Sequence, residues 1–154
     1  MSPSSRTVES STADEADYSS EIPSRASVEN VTAALTSLEG LAGWWTPLVG
    51  GDPTPGGTLQ FGFAGLDETI VMLVEDSSTS HEVLWTCLAN TGHPEWEGTR
   101  IAFRLTSTES GSLLSFRHSG LTRSLSCYDA CERGWDHFLT SLMQYAETGV
   151  GNPF

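Results

Sequence analysis

The sequence has no lysine. Its seven cations are all arginine and face 20 aspartates and glutamates, for a formal net charge of −13. Such a surface repels phosphate backbones and anionic lipid headgroups, which argues against nucleic acid and membrane partners. No apolar run approaches the roughly 18 residues that a membrane span needs. The opening stretch, MSPSSRTVESSTADEAD, lacks the basic start and apolar run of a secretory signal. A cytoplasmic location is therefore expected. Cysteine is scarce: Cys87, Cys127 and Cys131 cannot all pair, and a cytosolic setting favours free thiols. Cys127 and Cys131 lie four apart on a predicted helix with no histidine near them in sequence, and read as small packing residues rather than metal ligands. A GxSxG elbow, a P-loop, a dinucleotide fingerprint and a His/His/carboxylate spacing are all missing. Nucleophilic catalysis finds little support, and no metal or cofactor is expected.

What remains is one domain's worth of patterned chain. Residues 1–17 are Ser, Thr, Asp and Glu with almost nothing to bury, and read as a disordered acidic, Ser-rich tail. Residues 18–154 read as a single domain. YSSEIPS (18–24) is a short first strand, placed at an end or edge by Pro23. Residues 27–45 are helical, with Ser27 as cap and Val28, Val31, Ala34, Leu35 and Leu38 at helix spacing. Gly40 and Gly43 are expected to break this segment into two pieces, and 46–57 reads as a loop. Five strands follow, over 58–64, 68–75, 82–89, 99–107 and 112–120, the last two joined by a hairpin at 109–111. Ile101, Phe103 and Leu105 share one face of their strand, and Leu114, Phe116 and His118 share one face of the next. A last helix over about 126–147 carries Cys127, Cys131, Trp135, Phe138, Leu139, Leu142 and Tyr145 on one broad face. The expectation is an α+β fold: a curved antiparallel six-stranded sheet wrapped around a long C-terminal helix, with two short helices after the first strand.

At this point the sequence resembles a known superfamily, the START-like or SRPBCC proteins of the helix-grip (Bet v 1-like) fold. It is most similar to their AHSA1-like branch, named for the activator of the Hsp90 ATPase. The residues that carry the resemblance are ALTSLEGLAGWW (34–45), VLWTC (83–87), PEWEGTRIAFRL (94–105), LSFRHSGL (114–121) and CERGWDHFLTSLMQYAETGVGNPF (131–154). The resemblance implies a largely apolar cavity between sheet and C-terminal helix. Members of the superfamily bind hydrophobic small molecules, cyclise polyketides, or act in natural-product biosynthesis and self-resistance. The fold alone does not choose among these.

The first functional expectation is thus a hydrophobic small-molecule binding protein, with an aromatic or polycyclic ligand. The alternatives are a cyclase/aromatase-like enzyme, a self-resistance protein, and a chaperone-interaction module. An empty pocket of roughly 300 Å3 would cost about 7 kcal/mol, so the space must be small, wet or occupied. Its expected lining is Trp85, Phe103, Phe116, Trp135, Phe138, Met72, Cys87 and Cys131, with Trp44, Trp45 and Trp96 in loop contexts at the mouth. His118 points inward by strand phase and is the candidate catalytic or hydrogen-bonding residue. His93 and Glu95 share a loop and form a second, weaker acid–base candidate. The sequence leaves open whether two copies pair as a homodimer.

Overall fold

The structure, a computed structural model, describes residues 16–76 and 81–154. The expected tail lies almost wholly outside the described residues. Asp17, assigned to it from sequence, is held: its carboxylate accepts from Arg117 Nη2 at 2.6 Å and from Gly120 N at 2.8 Å.

The elements in chain order are β1 (Tyr18–Ser24), α1 (Val28–Leu35), α2 (Leu38–Trp44), β2 (Val49–Gly51), β3 (Thr58–Gly62), β4 (Thr69–Glu75) and β5 (Glu82–Asn90). A 3₁₀ turn (Pro94–Trp96), β6 (Arg100–Thr108), β7 (Gly111–Ser119) and α3 (Tyr128–Thr148) follow. The strands form one antiparallel sheet in the order β1-β7-β6-β5-β4-β3-β2. It has 7 strands rather than six. The additional strand, β2, sits inside the stretch read as a loop, where three residues are too few to show an alternating pattern. β1 is an edge strand, as Pro23 suggested.

Alternation fixes which face of the sheet is buried. Leu59 and Phe61, Ile70, Met72 and Val74, Val83 and Trp85, Ile101, Phe103 and Leu105, and Leu114 and Phe116 all point inward. α3 lays Cys131, Trp135, Leu139 and Leu142 onto that layer. It ends at Gly149, whose φ of 86° gives the left-handed turn and whose N–H closes on Tyr145 O.

The helical segment breaks at Thr36–Ser37, not at the glycines. Thr36 is the C-cap of α1, and Ser37 caps α2 by accepting from Gly40 N at 3.0 Å. Gly40 serves instead as a point of close approach. A Cβ there would lie 2.6 Å from the Cα and carbonyl oxygen of Ala34. Because backbone cannot swing aside, Gly40→Ala is expected to lower unfolding free energy by about 1–3 kcal/mol, read from the urea midpoint.

One irregularity matters for the site. Val71 pairs with Ala89 but Met72 pairs with Cys87, so β5 carries an extra residue, Leu88. Leu88 is turned out, 47% exposed, and the phase of the strand changes behind it. Before the bulge Val83, Trp85 and Cys87 face inward; after it Asn90 does.

Candidate functional site

The inward aromatics pack against one another. Trp45 stacks between Trp44 and Trp85, with ring centroids at 5.6 and 6.0 Å. Trp135 stacks on Trp96 at 5.9 Å and tilts against Phe116 at 4.6 Å. Phe103 meets Trp44, Trp85 and Phe116 edge-on. Such pairs gain about 0.5–1.5 kcal/mol each beyond the area they bury. The middle of the fold is therefore filled. Trp44, Met72, Trp85, Cys87, Phe103 and Phe116 are placed within this packing and away from the cavity described below. Trp44 is not at a mouth: it ends α2 fully buried, and its indole N–H donates to Ala34 O at 2.9 Å.

The cavity lies at one end, between α3 and the β3–β5 part of the sheet, and has a volume of about 160 Å3. Of the residues the sequence nominated, Trp45, Trp96, Cys131, Trp135 and Phe138 line it. Trp45 and Trp96 are walls rather than rim, since both are buried. Phe63 and Phe154, packed edge to face at 5.1 Å, complete the aromatic lining.

Three further lining residues bear on its chemistry. Asn90 is 2% exposed and its side-chain nitrogen has no hydrogen-bond partner. Its side-chain oxygen is used, accepting from His93 N at 2.8 Å. A buried amide donor without an acceptor is costly, about 1–3 kcal/mol, and this one belongs to a residue of the cavity wall. Gly134 is the second. It sits mid-helix, where glycine costs about 1 kcal/mol against alanine, and a Cβ there would meet nothing within 4 Å. Packing does not require a glycine here, and the position lines the cavity. His93, the third, was weighed only as half of an acid–base pair. It lines the wall, while Glu95 turns away and accepts from Ser126 Oγ at 3.0 Å. That bond holds the Glu95 carboxyl below its usual range.

His118 is sealed in the core. It is 0% exposed and is not part of the cavity wall. Trp135 Nε1–H donates to its Nδ1 at 3.1 Å, which leaves the proton of a neutral ring on Nε2. Nε2 then donates to Thr99 Oγ1 at 2.8 Å, and Thr99 Oγ1 donates to Trp96 O at 2.5 Å. Every donor in this chain has one acceptor. Burial pushes the imidazole down to about 3, with the Asp17 carboxylate opposing in part. The ring cross-braces β7, α3 and the 90–99 segment, away from the cavity.

The sequence profile described as Activator of Hsp90 ATPase homolog 1-like protein matches residues 25–147. The chain belongs to this AHSA1-like family. No curated protein matches it by sequence. Among solved structures it is similar to the Aha1 dimer from Colwellia psychrerythraea, at 30% identity and TM-score 0.75, covering 88% of this chain and 98% of that one. CalU16 from Micromonospora echinospora shares the fold at 19% identity and TM-score 0.61, over 85% of this chain and 74% of that one. DynU16, described as a protein of the dynemicin biosynthetic locus, shares it at 21% identity and TM-score 0.66. The match covers 86% of this AHSA1-like chain and 48% of DynU16. Among the described residues, no helix of this family member is long and apolar enough to cross a membrane.

Proposed function

We propose that this AHSA1-like chain binds a small, mostly apolar molecule that carries a hydrogen-bond acceptor. The observation that carries this reading is the unpaired amide nitrogen of Asn90, a residue of a largely apolar cavity wall on which Glu68 and His93 are the other polar groups. An engineered cavity of roughly 150 Å3 takes up benzene. One aromatic ring therefore fits inside, with its carbonyl or phenol oxygen on Asn90. A larger polycyclic molecule would leave its remaining rings outside the walls. A homodimer is part of the proposal, by analogy with the Colwellia protein, and sedimentation velocity reads it directly.

A second reading is supported by the DynU16 likeness. The bound molecule would be a natural product, either cyclised in cyclase/aromatase fashion or captured in self-resistance. His93 and Glu68 are then the acid–base side chains of the wall available to move a proton, and His118 stays outside the chemistry.

The test uses Gly134→Leu, which projects a side chain from the cavity wall on α3, where an added Cβ meets nothing within 4 Å. Phenols and small aromatic ketones should raise the Tm of the native chain and leave that of Gly134→Leu unchanged. Asn90→Ala should weaken binding by about 5- to 100-fold, the loss of one buried hydrogen bond. The reading falls if no member of such a panel shifts the native chain, or if Gly134→Leu binds as well as the native chain.

A further inference from the structure

We propose that His93, Cys127 and Cys131 form a binding site for a thiophilic divalent cation, with Zn2+ the best match. The sequence gives only two cysteines spaced i, i+4, with no histidine beside them. The fold supplies the third donor, because the segment after β5 folds back over the first turn of α3. Asn90 fixes the start of that segment through His93 N, and Glu95 pins its middle by accepting from both the N–H and the Oγ of Ser126. As a result the His93 ring nitrogen and the two sulfurs all lie within 4.8 Å of one another. Around a tetrahedral Zn2+ the corresponding donor separations are about 3.5–3.8 Å. Cys127 and Cys131 are buried and nearly set, whereas His93 is half-buried and able to turn inward.

The donor chemistry selects the ion. Two sulfurs and one imidazole suit Zn2+ or its spectroscopic stand-in Co2+, and are poor ligands for Mg2+ or Ca2+. Burial pushes both thiols above their ordinary range, with the Glu95 carboxylate adding to the rise, so the metal itself has to displace their protons. Trp96 Nε1–H points at Cys131 Sγ at 3.2 Å, an N–H···S contact that opposes the rise in part. Binding is written as Zn2+ plus two thiols giving a bis-thiolate complex and two released protons. The product is neutral at the metal, so it is not penalised by burial as an isolated ion would be. With three protein ligands the fourth position is open, as in catalytic rather than structural zinc sites. His93 and Cys131 also belong to the cavity wall, so the site borders the space assigned above to a ligand. The metal site does not depend on that assignment.

The experiment titrates untagged, fully reduced chain with Co2+ and then with Zn2+, in excess Mg2+. One equivalent of Co2+ should give thiolate-to-metal charge transfer in the near ultraviolet and the intense visible bands of tetrahedral coordination. Zn2+ should displace it. Cys127→Ser and Cys131→Ser should each abolish the charge-transfer bands or weaken binding by more than about 100-fold, beyond what loss of a supporting contact gives. His93→Ala, at a half-buried loop position, serves as the variant that keeps its fold, with the same expected loss. Cys87→Ser should bind like the native chain. The proposal is overturned if native chain gives no charge-transfer band, or if the band survives in His93→Ala with unchanged affinity.

Discussion

Trp135→Ala is expected to be the most damaging single substitution in the core, lowering unfolding free energy by about 5 kcal/mol or more. Truncating a buried tryptophan costs about 3–5 kcal/mol through lost contact and residual cavity. Here the indole is flanked by Trp45, Trp96 and Phe116, and none of those rings can collapse into the gap without breaking its own stack. The second part of the loss is electronic. Without the indole N–H, His118 Nδ1 is a buried acceptor with no donor, worth about 1–3 kcal/mol. Against a total of about 5–15 kcal/mol, the variant is marginal. Trp135→Phe separates the two parts: it keeps most of the volume and should lose only about 1–3 kcal/mol. Urea unfolding followed by circular dichroism measures both. If Trp135→Ala loses under about 1 kcal/mol, the ring is a free pocket wall and not a keystone.

Acid should destabilise the protein through His118 before its carboxylates titrate. Unfolded, the ring takes a proton below about 6.5; folded, burial withholds that proton until about 3. Between these two values the unfolded state binds more protons, so stability falls as pH falls, by about 1.4 kcal/mol per unit. The contribution is complete above pH 6.5 and is gone at about pH 3, with a total of about 4–5 kcal/mol. By pH 5 about 2 kcal/mol should already be lost, where few carboxylates have protonated. His118→Gln removes the titrating ring while keeping a polar side chain of similar length. Its stability between pH 7 and 5 should be nearly flat, whatever its absolute level. Equal slopes in the two proteins would show that the ring titrates freely in the folded state, and the sealed chain from Trp135 to Trp96 would be wrong.

Most of the fold was legible because it follows from period. Two-residue alternation gave the inward face of β3, β6 and β7, and the 3.6-residue period gave the face of α3. The site was less legible, for three distinct reasons. Alternation extrapolated along β5 puts Ala89 inward, and only the bulge at Leu88 brings Asn90 round instead. Gly40 and Gly43 looked like helix breakers because a sequence shows what glycine permits, not what presses against it; the neighbours are Ala34 and Tyr145. Trp44, Trp45 and Trp96 looked like a pocket mouth because they flank loops. Trp44 and Trp45 instead end a helix pointed at the core, and Trp96 is carried inward by a single 3₁₀ turn. The proximity of His93 to the cysteine pair depends on a loop path that no local pattern encodes.

The strand order sets a sequence of events when the chain folds. Strands β2 to β7 each pair with their neighbour in sequence, so their hairpins close over short distances. β1 instead joins β7, with Tyr18 opposite His118. Closing a loop of ~100 residues rather than ~10 adds about 2 kcal/mol of chain entropy. β1 is thus the natural last strand to dock. Its docking brings Tyr18 Oη to Asp136 at 2.5 Å and Ser24 Oγ to Glu147 at 2.8 Å, which tie both ends of the strand to α3. Until those two bonds form, β7 presents an open edge. The first strand of another copy can pair with it in the same register, so refolding should be cleanest in dilute solution.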